Sequence, residues 1–259
     1  MFMEQTLQRE CQSCGMPLHS EEQLGTDKGN GKVQDYCIYC YEDGAFKQPD
    51  MTMEEMIETC VPFVVENGME EQAARAMLKN YLPTLKRWAD QAGMTVPDLQ
   101  PVKIIERGEM TLAGISARTS NMREYTPEAV IPQMWERFWT EGLLARIPNA
   151  AEPGVIYGCY HDYENGASGE YSMLIGTSVI TDAALPEGFK AVTVPAAKYA
   201  VFTTARGPLA QVVTEAWAAI WKWSSASEMT RTFTGDFERY DERSANPEDA
   251  QVDIYIAVQ

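Results

Sequence analysis

The sequence predicts an α+β protein in three parts: a small cysteine-bearing segment over residues 1–50, a short helical connector over residues 51–98, and a duplicated domain over residues 99–259. Three observations support this division. Two CxxC pairs lie near the start, a capping-box sequence opens the middle part, and a strand–strand–helix–strand pattern occurs twice in the last part. We therefore expect two copies related by a pseudo-twofold axis, forming an antiparallel sheet with two helices.

The composition is that of a globular protein with a large excess of acidic residues. The 259 residues are 45% hydrophobic and 23% charged, and the formal net charge is -17. This charge repels nucleic acid and anionic membranes, so we expect neither DNA nor a membrane as a partner. No apolar run approaches the roughly 18 residues of a spanning helix, and the first ten residues lack a signal-peptide pattern. We therefore expect a cytoplasmic protein.

The cysteine-bearing segment predicts a metal site. Cys11 and Cys14 form the first CxxC pair, and Cys37 and Cys40 form the second. Two such turns can bring four thiolates into a tetrahedron around one Zn²⁺ ion, and the turn-forming residues 25–31 can join them as a hairpin. A site with four cysteine ligands has no open coordination position. The predicted Zn²⁺ is therefore structural and not catalytic.

Other interpretations of the cysteines and of a nearby histidine remain open. The two pairs could instead be local disulfides or free thiols, although a cytosolic protein favours metal. His19 is a rival ligand, but its position beyond a complete pair is more typical of a surface histidine. Cys60 and Cys159 have no paired spacing, so we expect them to be buried as small apolar residues.

The segments CQSCGMPL and GTDKGNGKVQDYCIYCYEDGAF resemble a zinc-ribbon domain found in many bacterial proteins. The resemblance continues through residues 49–56 and covers about the first quarter of the chain. It implies a structural zinc site and says little about function.

The connector is predicted to be helical. Thr52 and Glu55 form a capping box that opens a helix running toward Glu66, with Pro62 as an interruption. A second helix is expected from near Met69 to just before Pro83, and a short third helix over about residues 84–92.

The last part of the chain repeats itself. Residues 110–118 and 198–206 are alternating strands that both end in Ala-Arg, and each is followed by a helix with two tryptophans one turn apart. Two further strands follow in each half, over residues 155–161 and 171–180, and over 233–240 and 252–258. One half cannot bury its apolar face alone. Pairing the halves creates a groove between the two helices and the joined sheet.

Several aromatic and acidic residues are candidates for lining this groove. A period of two places Glu238 and Tyr240 on one strand face, where a carboxylate beside aromatic rings can pair with a lipophilic cation. Asp253 and Tyr255 share one face of the last strand, and we expect them to line the same cleft. The alternative is that Glu238 and Asp253 form salt bridges with nearby arginines. The aromatic candidates are Trp135, Trp139, Trp217, Trp221, Tyr157 and Tyr171, and the alternative for the tryptophans is core packing.

Residues 100–259 resemble the GyrI-like or AraC-type effector-binding domain, which also occurs in drug-sensing regulators. The matching stretches are YGCYHDY, EYSMLIG, PAAKYAVF, FERY and DIYIAV. The resemblance implies a small-molecule-binding protein that acts as a sensor or sequesters its ligand. Members that bind cationic drugs carry a glutamate in a motif similar to FExY, which corresponds to Glu238. The equivalent residue in the first half is Gly158.

Two other functions remain open. Some GyrI-like proteins hydrolyse strained rings, and a desolvated Glu238 with a raised pKa could act as a general base. A regulator that acts through a protein partner is also possible. His161 beside Asp162 could form an acid–base pair, but no serine or cysteine nucleophile is marked out next to it.

Overall fold

The computed structural model describes residues 9–89, 99–126, 128–167, 169–180 and 184–259. These residues form two compact units. The first unit contains residues 9–89, 120–126, 128 and 165–167, and the second contains the other described residues. The cysteine-bearing segment and the helices that follow it therefore lie in one unit. The boundary expected at residue 98 falls outside the described residues.

The first unit begins with three short antiparallel hairpins. Their strands are β1 (Arg9–Glu10), β2 (Pro17–Leu18), β3 (Leu24–Thr26), β4 (Lys32–Cys37), β5 (Tyr41–Glu42) and β6 (Ala45–Phe46). Consecutive strands pair, β1 with β2, β3 with β4 and β5 with β6. The turn between β3 and β4 is fixed by Asp27, whose carboxylate accepts the backbone N–H groups of Gly29 and Gly31 at 2.8 Å each.

Three helices follow: α1 (Met53–Glu66), α2 (Glu71–Tyr81) and α3 (Lys86–Ala89). The predicted capping box is present, with Glu55 N–H donating to Thr52 Oγ1 and Thr52 N–H donating to Glu55 Oε2. Pro62 does not end α1, because the helix retains its remaining hydrogen bonds after the proline removes one donor. The third helix begins later than predicted, since residues 82–84 form a 3₁₀ turn.

The first unit has its own core, and α3 is fastened to the first cysteine pair. Trp88 is fully buried, and its indole N–H donates to Ser13 O at 2.6 Å. Arg87 Nη1 donates to Ser13 Oγ at 3.0 Å. Because Ser13 lies between Cys11 and Cys14, these contacts join the end of the connector to the turn that presents two thiols.

The second unit is built on one eight-stranded sheet. Its strands are β7 (Lys103–Arg107), β8 (Met110–Ser120), β9 (Ile156–His161), β10 (Glu170–Ser178), β11 (Lys190–Val194), β12 (Ala197–Thr203), β13 (Asp236–Tyr240) and β14 (Asp253–Val258). The order across the sheet is β11-β8-β10-β9-β13-β14-β12-β7. This order is symmetric about the boundary between β9 and β13, as a duplicated domain requires. The predicted α+β class is confirmed.

The described residues contain three more α-helices: α4 (Asn121–Glu124), which belongs to the first unit, α5 (Ile131–Thr140) and α6 (Leu209–Ala226). One face of the sheet packs against α5 and α6, and we call it the helix-covered face. Its core includes Phe138 of α5, Ile220 of α6 and Ile254 of β14. The opposite face carries a separate aromatic core that includes Tyr199 and Phe237. No helix among the described residues has the length and apolar character needed to span a bilayer.

Candidate functional site

The two CxxC turns bring four sulfur atoms together in the first unit. The Sγ atoms of Cys11, Cys14, Cys37 and Cys40 all lie within 4.8 Å of one another. No disulfide links them, since all four are free and Cys14 Sγ lies 3.8 Å from Cys37 Sγ, well beyond bonding distance. This arrangement fits the four thiolate ligands that a tetrahedral metal ion requires. His19 is exposed and is not part of the cluster.

The other two cysteines are buried, as predicted. Cys60 lies in α1 and Cys159 lies on β9, on the opposite face of the sheet. Burial raises the pKa of Cys60 to about 11, so this thiol stays protonated at neutral pH. Neither residue has the exposed, electropositive surroundings of a reactive thiol.

Glu238 lies on β13 at the centre of the helix-covered face and is only 2% exposed. Three side chains donate hydrogen bonds to its carboxylate. Trp217 Nε1 (2.6 Å) and Tyr160 OH (2.9 Å) donate to Oε1, and Tyr240 OH (2.8 Å) donates to Oε2. Burial raises the pKa of Glu238, and the three hydrogen bonds partly oppose that shift.

Neutral groups supply the hydrogen bonds that this carboxylate accepts. Within the described residues, no lysine or arginine forms an ion pair with Glu238, and its three donors are neutral. Its environment has a low dielectric constant, so the negative charge is poorly screened. A cation that enters this region would therefore be strongly attracted.

The pseudo-twofold symmetry of the unit is visible around this carboxylate. Tyr160 and Tyr240 are equivalent residues of the two halves, and both donate to Glu238. Gly158 is the register partner of Glu238. A Cβ atom at Gly158 would lie 2.7 Å from Glu238 Oε2, so a side chain there would collide with the carboxylate.

Aromatic rings surround the site. Trp135 packs edge-on against Tyr240, with ring centroids 5.0 Å apart, and stacks on Trp139. The ring centroids of Tyr171 and Tyr160 are 5.6 Å apart. Trp139 is 59% exposed and contacts the rings of Trp135 and Phe138. Trp221 of α6 is half-buried.

Three of the predicted ligand-binding residues lie on the other side of the sheet. β13 pairs with β14 so that Phe237 faces Tyr255 and Glu238 faces Ile254. Asp253 and Tyr255 therefore point away from Glu238, contrary to the expectation that they line the same cleft, and Tyr157 also packs in the opposite core. Asp253 forms an ion pair with Arg243 at 2.6 Å, as the alternative interpretation of Asp253 predicted.

Tyr160 was missed by the sequence analysis, although a signal for it exists. It lies two residues after Gly158, as Tyr240 lies two residues after Glu238, so the duplication alone could have identified it. His161 lies on the opposite face, with Nδ1 3.0 Å from Asp162 Oδ2. The pair is therefore separated from Glu238 by the sheet.

Known proteins resemble both units. A family model described as "Integron-associated effector binding protein" matches residues 103–258, and one described as "Putative zinc ribbon domain" matches residues 10–89. The chain is 41% identical over 147 residues to "Putative transcriptional regulator protein YobU" of Bacillus subtilis, covering 57% of this chain and 91% of that protein. It is 30% identical over 219 residues to "Transcriptional regulator BrlR" of Pseudomonas aeruginosa, covering 83% of this chain and 74% of that protein.

A solved structure shares the fold of the second unit. The structure of SAV2435 bound to tetraphenylphosphonium superposes with a TM-score of 0.52 at 21% identity, covering 61% of this chain and 93% of that one. The integron cassette protein VCH_CASS2 from Vibrio cholerae is 28% identical, with a TM-score of 0.49, covering 62% and 97%. The match to the family model confirms the resemblance to effector-binding proteins. The chain belongs to the integron-associated effector-binding protein family through residues 103–258 and carries a zinc-ribbon domain over residues 10–89.

Proposed function

We propose that the second unit binds a lipophilic cation at Glu238 and that the protein acts as an effector sensor or sequesters this ligand. The observation that carries the proposal is a buried carboxylate with three neutral donors and no ion-pair partner among the described residues. A bound cation would supply the missing charge. The donors hold the carboxylate in place before the ligand arrives, which lowers the cost of ordering the site.

The aromatic side chains support the same ligand class. Trp135, Trp217 and Tyr160 lie around the carboxylate and offer ring faces and edges to a flat or spherical aromatic cation. Each cation–π contact contributes about 0.5–2 kcal/mol, more when the ring is desolvated. SAV2435, which shares the fold, has been solved with tetraphenylphosphonium, so this ion is a suitable first probe.

For the first unit we propose a structural Zn²⁺ ion held by Cys11, Cys14, Cys37 and Cys40. The four thiolates suit a borderline-soft ion with no geometric preference of its own, and they leave no position for a substrate. The ion would stabilise short hairpins that have little core of their own. Arg87, close to the first thiol pair through Ser13, offsets part of the negative charge of a tetrathiolate site.

We further propose that any regulatory output passes through a protein partner. Two relatives are named transcriptional regulators, which supports a regulatory role. The net charge of -17 disfavours direct contact with DNA. We also propose that the protein acts in the cytoplasm.

The test is equilibrium binding of tetraphenylphosphonium to the full chain by calorimetry. We expect Glu238→Gln, which keeps the shape of the side chain, to weaken binding by roughly 30-fold or more because a desolvated charge pair is lost. Glu136→Gln, which removes an exposed carboxylate from α5, is the matched control and should bind like the wild type. Wild-type affinity in Glu238→Gln would refute the cation site. Incubation with a strained-ring compound such as an epoxide tests the hydrolase alternative, which requires a ring-opened product that Glu238→Gln does not form.

A further inference from the structure

A second buried charge lies beside the Glu238 site. The guanidinium of Arg231 donates to Asp236 Oδ2 through Nε at 3.0 Å and through Nη2 at 2.7 Å. The two side chains are 6% and 0% exposed. Removing Asp236 would leave the buried guanidinium without its counter-charge, so Asp236 holds Arg231 in place.

Asp236 is anchored independently of Arg231. Its Oδ1 atom accepts the backbone N–H of Ala257 at 2.7 Å, and Tyr163 OH donates to Oδ2 at 3.1 Å. The carboxylate is therefore fixed to the neighbouring strand β14. If Arg231 were removed, Asp236 would remain where it is.

Arg231 is also surrounded by aromatic rings. Its guanidinium carbon lies 4.5 Å from the ring centroid of Phe233, 5.6 Å from that of Trp217 and 6.0 Å from that of Tyr163. Phe233 adopts a φ of 55°, a left-handed conformation that bulky residues rarely take. A carboxylate and aromatic rings around a cation are the same components that we propose for the ligand at Glu238.

Trp217 joins the two charged groups. Its indole N–H donates to Glu238 at 2.6 Å, while its ring is the one that lies against Arg231. Asp236 and Glu238 are alternate residues of β13, so their side chains lie on the same face of the strand and their Cα atoms are about 7 Å apart. The site therefore contains two neighbouring carboxylates, of which one already has a resident cation.

We propose that Arg231 is a specificity-determining residue that limits the pocket to ligands with one positive charge. The inference rests on the proposed function. A second ligand charge near Asp236 would meet the guanidinium at short range, where like charges repel strongly because screening is weak. Without Arg231, Asp236 would be available to pair with that second charge.

The test uses two ligands of nearly the same shape. N-methyl-4-phenylpyridinium carries one charge, and N,N′-dimethyl-4,4′-bipyridinium carries two charges separated by about 7 Å, close to the spacing of alternate strand residues. We expect the wild type to bind the monocation at least about tenfold more tightly than the dication. Arg231→Met should abolish this preference by improving dication binding roughly tenfold or more.

Two further variants separate charge from packing. Asp236→Asn leaves the guanidinium without its counter-charge and should weaken monocation binding about tenfold, whereas Arg231→Met/Asp236→Asn should restore it. A purely structural role predicts that all three variants weaken both ligands alike, with no restoration in the double variant, and this result would overturn the proposal. Circular dichroism monitors folding. If Arg231→Met does not fold, the comparison of Asp236→Asn with the double variant still distinguishes the charge role of Arg231 from a structural role.

Failure of this inference is distinguishable from failure of the cation site. If the wild type binds neither tetraphenylphosphonium nor these two ligands, or if Glu238→Gln binds them as the wild type does, the proposed function is wrong and the inference falls with it. If the wild type binds the monocation through Glu238 but the Arg231 and Asp236 variants keep the same preference between the two ligands, only the role of Arg231 is wrong.

Discussion

Gly158 and Glu238 face each other across the central pair of strands, and they are the equivalent positions of the two halves of the domain. The pseudo-twofold axis passes between them. A Cβ atom on Gly158 would lie 2.7 Å from Glu238 Oε2 and 2.9 Å from Met173 Cε. Because two side chains cannot occupy the same space on the axis, one copy carries the acid and the other is reduced to glycine. The duplicated domain therefore has a single acidic centre.

Gly158→Ala should displace the Glu238 carboxylate from at least one of its three donors. We expect the free energy of unfolding to fall by about 1–3 kcal/mol, the usual cost of overpacking a core. Tetraphenylphosphonium binding should weaken as well. Denaturant titration and calorimetry measure the two effects. Gly108→Ala, where nothing lies within 4 Å of the added Cβ atom and φ is not positive, is the comparison for a glycine replacement alone. Wild-type binding by Gly158→Ala would contradict the packing argument.

Cation binding should depend on pH through Glu238. Burial raises the pKa of Glu238, and only the ionised carboxylate attracts a cation. Affinity for tetraphenylphosphonium should therefore fall as the pH falls through this raised pKa. The ligand itself does not titrate, so calorimetry at a series of pH values reports the protein alone. A pH-independent affinity would show that Glu238 does not carry the interaction.

The raised pKa of Glu238 also predicts how the stability of the protein depends on pH. The native state holds the Glu238 proton more tightly than the unfolded state does, so this residue's contribution to stability is present at low pH and is lost as the pH rises through the raised native pKa. Glu238→Gln should remove this loss and raise the Tm at neutral pH relative to the wild type. The difference in Tm between the two proteins should shrink in acid. A lower Tm for Glu238→Gln across the whole range would be the opposite result.

The two tyrosine donors should make similar contributions. Tyr160→Phe and Tyr240→Phe each remove one hydroxyl from the Glu238 carboxylate while keeping the ring. Each loss should raise the pKa of Glu238 further. The acid limb of the binding curve, where affinity falls with falling pH, should therefore move to higher pH. Tyr199→Phe, whose hydroxyl donates to Gly235 O in the opposite core, is the control and should leave that limb unchanged.

Metal removal should affect the first unit. We expect one Zn²⁺ per chain by elemental analysis, lost in Cys37→Ser. Because a structural metal supplies folding free energy, chelation should expose the buried Trp88 and shift its fluorescence to the red. Cys60→Ser, outside the cluster, should retain the metal. Full metal content in Cys37→Ser would rule out the four-cysteine site.

Local patterns in the sequence determined much of this protein. The CxxC spacing predicted the sulfur cluster because each turn spans only a few residues, and the capping box at Thr52 and Glu55 formed as expected. The repeat predicted a symmetric sheet, and the period of a strand correctly placed Glu238 and Tyr240 on one face. These features depend on residues that are close along the chain or on a comparison of one half with the other.

The tertiary structure alone decided what lies around the acid. Whether Asp253 and Tyr255 share a face with Glu238 depends on the register between β13 and β14, and a shift of one residue reverses the outcome. Three other features also depend on contacts that the strand period does not predict. They are the hydrogen bond from Trp217 to Glu238, the close approach of Gly158 to the Glu238 carboxylate, and the ion pair between Arg231 and Asp236. Such contacts arise from how strands and helices pack in three dimensions, which the spacing of residues along one strand does not encode.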